Sequence, residues 1–206
     1  MAKKKSQEGL QPYTEYLETL SRTHDRSGVF NDFLTVVVCT LSMQRKEEEY
    51  LATIRKYARE EVELFAKAFA ALVEWMERHP LEDAFGDYFQ QYISQGHNAQ
   101  FFTPSSVTKM MAKMIGPSDE DGPVYDPCCG SGRFFLAAAQ ENRAISFVGG
   151  DITEACCKMT LVNACLNDII GEVYHMDSLR MQIWRCWRIV RLPILRMPYI
   201  VELPVK

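Results

Sequence analysis

The sequence lacks any apolar run long enough to cross a membrane. Its longest, residues 36–39, falls far short of the roughly 20 residues a spanning helix needs. No apolar stretch follows the basic opening Met1-Ala2-Lys3-Lys4-Lys5, so the pattern of a secretory signal is missing too. None of the cysteines (Cys39, Cys128, Cys129, Cys156, Cys157, Cys165 and Cys186) forms a C-x-x-C pair, and zinc-ligand spacing is absent. The expectation is reduced thiols in or near a core, in a cytoplasmic protein that holds no metal and no membrane. There is no internal repeat and no low-complexity tract. Net positive charge is also lacking: the balance is −4, which excludes a general polyanion binder.

What is present falls into two grammars. The first hundred residues read as helical. Val62, Phe65, Phe69, Leu72, Val73 and Met76 share one stripe, good helix formers fill residues 47–78, and His79-Pro80 stops the run. Phe30, Phe33, Leu34, Val37 and Leu41 have similar spacing, although Val36-Val37-Val38 also suits a strand. Residues 83–93, with Phe85, Tyr88, Phe89 and Tyr92, are a third helix candidate. A turn-rich joint, residues 94–98, follows, and His97 in it reads as a loop histidine. Thr103 is then a fair N-cap with Pro104 at the first helical position, and Val107, Met110, Met111, Met114 and Ile115 are the expected buried face. Beyond Gly116-Pro117, strands at residues 123–126, 145–149 and 173–175 alternate with helices at 133–142 and 153–167, which implies a parallel sheet with right-handed crossovers. Residues 187–192 and 199–203 then read as an antiparallel hairpin.

Ligands of open α/β sheets sit at the carboxyl ends of the strands. Three such ends carry polar groups suited to one nucleoside ligand. Asp126-Pro127-Cys128-Cys129-Gly130-Ser131-Gly132 turns from strand to helix, its glycines allow close backbone approach, and the helix N-terminus favours an anion. Asp151 ends the second strand, where an acid can accept both hydroxyls of a ribose. Asp177, followed by Ser178 and Leu179, ends the third and can accept from an adenine amino group, while Ile152 and Leu179 can clamp the purine. A nicotinamide site is the nearest rival, but its third glycine corresponds to Phe135 here, and no Gly-Lys-Ser or Gly-Lys-Thr marks a P-loop. The stretch from Arg180 to Lys206 holds five arginines and one lysine against Glu202, with Trp184, Trp187 and Tyr199 among them. Such a segment can track a phosphate backbone, or be an edge hairpin whose arginines are solvated.

These residues together resemble the N6-adenine DNA methyltransferases, most nearly the modification subunits of type I restriction–modification systems. Gln100-Phe101-Phe102-Thr103-Pro104 is similar to the family's first cofactor-binding motif, and the turn from Asp126 to Gly132 to its glycine-rich motif. The resemblance implies S-adenosylmethionine as cofactor. Thr103, the Phe102 backbone and Gln100 would lie at its methionine end, and Asp126 would face its amino group. Gly130, Ser131 and Gly132 would line the turn, with Asp151 on the ribose and Asp177 on the adenine. The fold class implied is α/β: a helical N-terminal domain, residues 1–98, then a partial Rossmann-like methyltransferase sheet with a C-terminal hairpin, residues 99–206.

The family's catalytic Asn-Pro-Pro-Tyr or Asn-Pro-Pro-Phe motif has no match. The sequence contains no Pro-Pro dipeptide, and Met197-Pro198-Tyr199 lacks the Asn and one Pro. That motif accepts hydrogen bonds from the adenine amino group and stacks the flipped base. Nothing after Leu179 matches the remaining strands of the family or a target-recognition domain. Three functions stay open: an adenine-specific DNA methyltransferase completed by a partner subunit or a homodimer, a cofactor-binding adaptor or regulator, and an interaction module that docks through the helical half and the basic tail, the latter touching DNA.

Overall fold

The computed structural model describes residues 11–43, 45–94, 101–118, 120, 122–192 and 197–205. Its first half is helical: α1 (Pro12–Leu20), α2 (Arg26–Leu41), α3 (Glu47–Ile54), α4 (Arg59–Arg78) and a short α5 (Gly86–Tyr88) that continues as a π-helical turn, Phe89–Ile93. Asp25 starts α2 by accepting from Gly28 N at 2.7 Å. The valine run lies inside this helix, because Val29, Phe30, Phe33, Leu34 and Val37 are all buried and packing outweighs β-branched preference.

Residues 47–78 are two helices rather than one run. Residues 55–58 break them, although nothing in that stretch is a helix breaker. Tertiary anchoring does it. Tyr57 Oη donates to Asp32 Oδ2 at 2.9 Å, Lys56 Nζ donates to Asp32 Oδ1 at 2.8 Å, and the Tyr57 ring stands edge-on to Phe65. Glu61 then receives Ala58 N at 2.9 Å and opens α4, whose Phe65, Ala68, Leu72 and Met76 are buried on the α1 side.

α6 (Ser105–Ile115) differs from expectation twice. Pro104 rather than Thr103 holds the N-cap place, extended at φ −56° and ψ 144°. The face expected to be buried is the exposed one: Val107, Met110, Met111, Met114 and Ile115 keep from 38 % to 78 % of their surface in solvent. α6 docks on α7 by its narrow side instead, through Thr108 and Ala112. Periodicity reveals an amphipathic helix but not which side a neighbour covers.

The sheet has the order β1-β2-β3-β4-β5. β1 (Val124–Asp126), β2 (Ser146–Asp151) and β3 (Ile170–Asp177) are parallel, joined by α7 (Arg133–Glu141) and α8 (Glu154–Leu166). β4 (Gln182–Arg191) and β5 (Pro198–Leu203) form the antiparallel hairpin beside β3, with a register shift at His175/Met176. Among the described residues the outer edge of β1 is unpaired. α8 is buried nearly all round, between α2 and the sheet, and one apolar core runs from Tyr13 and Phe33 through Phe135 and Phe147 to Trp187 and Ile200. No helix among the described residues is long and apolar enough to cross a membrane.

Candidate functional site

β1, β2 and β3 end side by side. Asp126 pairs with Gly149, and Asp151 with His175, so the three sequence-singled acids, Asp126, Asp151 and Asp177, stand at the carboxyl ends of adjacent strands. Between the first two runs the glycine turn. Gly130 and Gly132 have φ of 56° and 81°, the left-handed region where a Cβ is penalised. A Cβ on Gly130 would lie 3.1 Å from the Phe102 ring, and one on Gly132 would lie 3.1 Å from Thr160.

The turn is held by groups from four directions. Asp151 Oδ2 accepts from Gly130 N at 3.0 Å while its Oδ1 accepts from Thr153 N at 2.8 Å. Asp126 Oδ1 accepts from Cys128 N at 3.0 Å. Thr160 Oγ1 donates to Gly130 O at 2.9 Å, and Asn163 Nδ2 donates to Ser131 O at 2.9 Å. Ser178 Oγ donates to Pro127 O at 2.6 Å and so fastens the third strand end to the first. Burial pushes the carboxyls of Asp126 and Asp151 above the usual aspartate value, against the opposing pull of those backbone N–H groups. Asp177 braces its own hairpin turn, accepting from Leu179 N and Arg180 N at 3.0 Å each.

The segment ahead of α6 completes the surroundings. Phe102 stacks on Phe89 with centroids 5.5 Å apart and borders Gly130, whereas Phe101 is 77 % exposed. Thr103 and Pro104 are exposed, and Thr103 O accepts from Arg133 Nη1 at 3.2 Å. Cys128 and Pro127 are exposed on the turn, Ile152 is exposed beyond β2, and Leu179 is almost wholly exposed at the β3–β4 turn. Gln100 and His97 lie outside the described residues.

Sequence reasoning missed four contributors. Asp83, Arg133, Thr160 and Asn163 all touch the glycine turn or its flanks. One signal was available: Thr160, Asn163 and the C-cap Asn167 punctuate the apolar second half of α8 at a spacing of three and four residues, which marks one buried polar stripe.

The basic segment resolves differently. Arg185 pairs with Glu49, Glu154 and Glu202, Arg188 with Glu172, Arg191 with Asp168, and Arg180 with Asp177. Its described arginines are thus each matched by an acid of this chain. Pro198 and Tyr199 open β5 opposite Arg191 and Val190, at the end of the sheet away from the three aspartates.

A family model described as N-6 DNA Methylase matches residues 77–192. The methylase subunit of the type I restriction enzyme MjaIX from Methanocaldococcus jannaschii is 24 % identical over 119 residues, covering 52 % of this chain and 21 % of that protein. The HindI methylase subunit from Haemophilus influenzae is 29 % identical over 112 residues, with 47 % and 25 % covered. The EcoEI methylase subunit from Escherichia coli is 36 % identical over 66 residues, with 30 % and 12 % covered. The matched region therefore spans a quarter or less of each of these relatives.

Proposed function

The chain belongs to the N-6 DNA methylase family, and from that membership we propose that it binds S-adenosylmethionine at the strand ends and serves methyl transfer to adenine N6 in DNA. One observation carries the reading: three carboxylates on adjacent parallel strand ends surround a turn whose two glycines are both left-handed. The donor set fits the ligand. Its ammonium, ribose hydroxyls and adenine amino group donate, and Asp126, Asp151 and Asp177 accept. Its carboxylate meets the first N–H groups of α7. Each Asp151 oxygen that holds a backbone N–H retains a second lone pair for a ribose hydroxyl.

Bound S-adenosylmethionine supplies an electrophilic methyl on a sulfonium. Gly130, Ser131 and Gly132 shape the turn beside it, and Pro127 and Cys128 lead the chain into that turn. Phe101, Phe102, Thr103 and Pro104 lie along the methionine end, to which the family resemblance also assigns Gln100. Ser178, Ile152 and Leu179 border the adenine.

The acceptor side is assigned to a partner subunit or to a second copy of this chain. Two observations support this. The Asn-Pro-Pro-aromatic motif is missing, and its nearest likeness, Met197-Pro198-Tyr199, lies away from the three aspartates. Among the described residues β1 has an unpaired edge, and α6 leaves an apolar face in solvent. The seven free thiols, six of them buried, fit a reducing, cytoplasmic setting.

Titration calorimetry with S-adenosylmethionine tests the core of this reading. Saturable binding is expected, and Asp151→Ala should weaken it roughly tenfold or more. Folded wild-type protein that takes up no cofactor overturns the reading. Where binding holds, tritiated-methyl transfer to DNA separates an enzyme from an adaptor.

A further inference from the structure

We propose that Asp83 and Arg133 form a positioning clamp, through which the helical half of the chain holds the 102–104 segment and the glycine turn in register. The inference rests on the cofactor reading above and deepens it. The clamp joins three stretches far apart in sequence. Asp83 has a side chain only 4 % exposed. Its Oδ2 accepts from Ser131 Oγ at 2.7 Å and from Arg133 Nε and Nη2 at 2.8 Å each. Its Oδ1 accepts from Asn163 Nδ2 at 2.9 Å and from Phe85 N and Gly86 N at 3.1 Å each. A buried carboxylate survives only when so fully paired.

Arg133 carries the coupling onward. Its Nη1 donates to Thr103 O at 3.2 Å, and its Nη2 also reaches Asp87 Oδ1 at 2.8 Å. One planar, five-donor fork thus reaches the segment ahead of α6 while gripping the loop ahead of α5. Lysine, a point charge on a flexible stem, cannot reproduce that geometry. The position is costly for a cation, since Arg133 is the first residue of α7 and the helix dipole there favours negative charge. Two carboxylates offset that cost, which gives the arrangement a purpose beyond packing. Gly86 shows how closely the parts approach: a Cβ there would overlap Asp83 Oδ2 and lie 2.6 Å from Arg133 Nη2.

The groups held by the clamp are those assigned to the cofactor. Ser131 lies within the glycine turn, and Thr103 follows Phe102, the ring against which Gly130 rests. Asp83 and Arg133 are positioning residues and touch no ligand themselves.

The test uses the full chain with Arg133→Lys and with Asp87→Ala, whose side chain is 79 % exposed and whose loss should spare the fold. Amide exchange without ligand is read at Phe102, Thr103 and residues 130–132, with α4 as the internal control. Affinities for S-adenosylmethionine and S-adenosylhomocysteine are read by calorimetry. Arg133→Lys should speed exchange in both segments about tenfold, leave α4 unchanged, and weaken both ligands by about the same factor. Asp87→Ala should show the same pattern at about threefold. A wild type that binds, with both variants matching it in exchange and affinity, overturns the clamp and leaves the cofactor reading standing. A folded wild type that binds neither ligand, with variants that still loosen only these segments, removes the cofactor reading and retains the mechanical coupling.

Discussion

Charge is handled in opposite ways at two places on this sheet. At the β4–β5 hairpin, three described arginines, Arg185, Arg188 and Arg191, meet acids of the same chain. Lys46 adds to this by pairing with Glu202, and Lys158 by pairing with Glu154. Glu154, Glu172 and Glu202 are held below the usual glutamate value; burial opposes that shift, and it is outweighed by hydrogen bonds and charge from neighbouring cations, joined at Glu172 by the hydrogen bond from Tyr174. At the carboxyl ends of β1 and β2, Asp126 and Asp151 meet backbone N–H groups, and burial raises both. Among the described residues, the hairpin's arginines are matched by the chain's own acids. The strand ends hold acceptors whose charge is still costly, which is the condition of a site built for a ligand that brings its own positive charge and donors.

The largest effect that would sharpen this contrast lies at the junction between helices and sheet. Asp83→Ala leaves the Arg133 guanidinium with only the exposed Asp87 and should lower unfolding stability by about 3 kcal/mol in a denaturant titration. A loss under about 1 kcal/mol would mean the pair is dispensable to the fold. Next comes Gly132→Ala. A left-handed φ and the 3.1 Å approach of Thr160 should cost about 1–2 kcal/mol and reduce cofactor affinity with it.

Arg185→Gln should cost about 1 kcal/mol, less in high salt, because its partners are only partly buried. Arg188→Gln with Arg191→Gln should change DNA retention hardly at all in a salt-titrated binding assay. A clear fall in the salt dependence of DNA binding would break the comparison and return the hairpin to the list of nucleic-acid surfaces.

Acid gives the two regions opposite signs. The glutamates of the hairpin have lowered values, so their stabilisation is present above the ordinary glutamate value and is lost as pH falls through the lowered one. Asp126 and Asp151 have raised values, so protonation favours the fold, and that contribution is lost as pH rises through them. On the proposed reading, S-adenosylmethionine binding needs the charged form, so its affinity should begin to fall at a pH above the ordinary aspartate range. Calorimetry across that range checks it, and an affinity that stays flat down to the ordinary value of 3.8 contradicts it.

Much of the sheet region was legible in the sequence because its punctuation is local. The glycine turn, the acids after the strands and the apolar runs placed α7 and α8 to within a residue and β2 to within two. The misreadings share a cause, namely that contacts distant along the chain decide them. Tyr57 leaves helix for Asp32 and Phe65. α6 turns its methionines outward because Thr108 and Ala112 are the side small enough to sit against α7. Asp83 and Arg133 are fifty positions apart, and neither belongs to a pattern that names its partner. The arginine-rich tail was ambiguous because composition counts charges without showing their distances.

The polar stripe of α8 bears on how this chain can change in length. Asn163 Oδ1 receives Ala84 N at 3.2 Å, and Asn167 Oδ1 receives Leu81 N at 2.7 Å. The two amides are one helical turn apart and read two backbone donors of the facing loop. Inserting or deleting a single residue between them would rotate one by about 100° relative to the other and disengage it. Natural variation in length is therefore expected to spare the interval from Thr160 to Asn167.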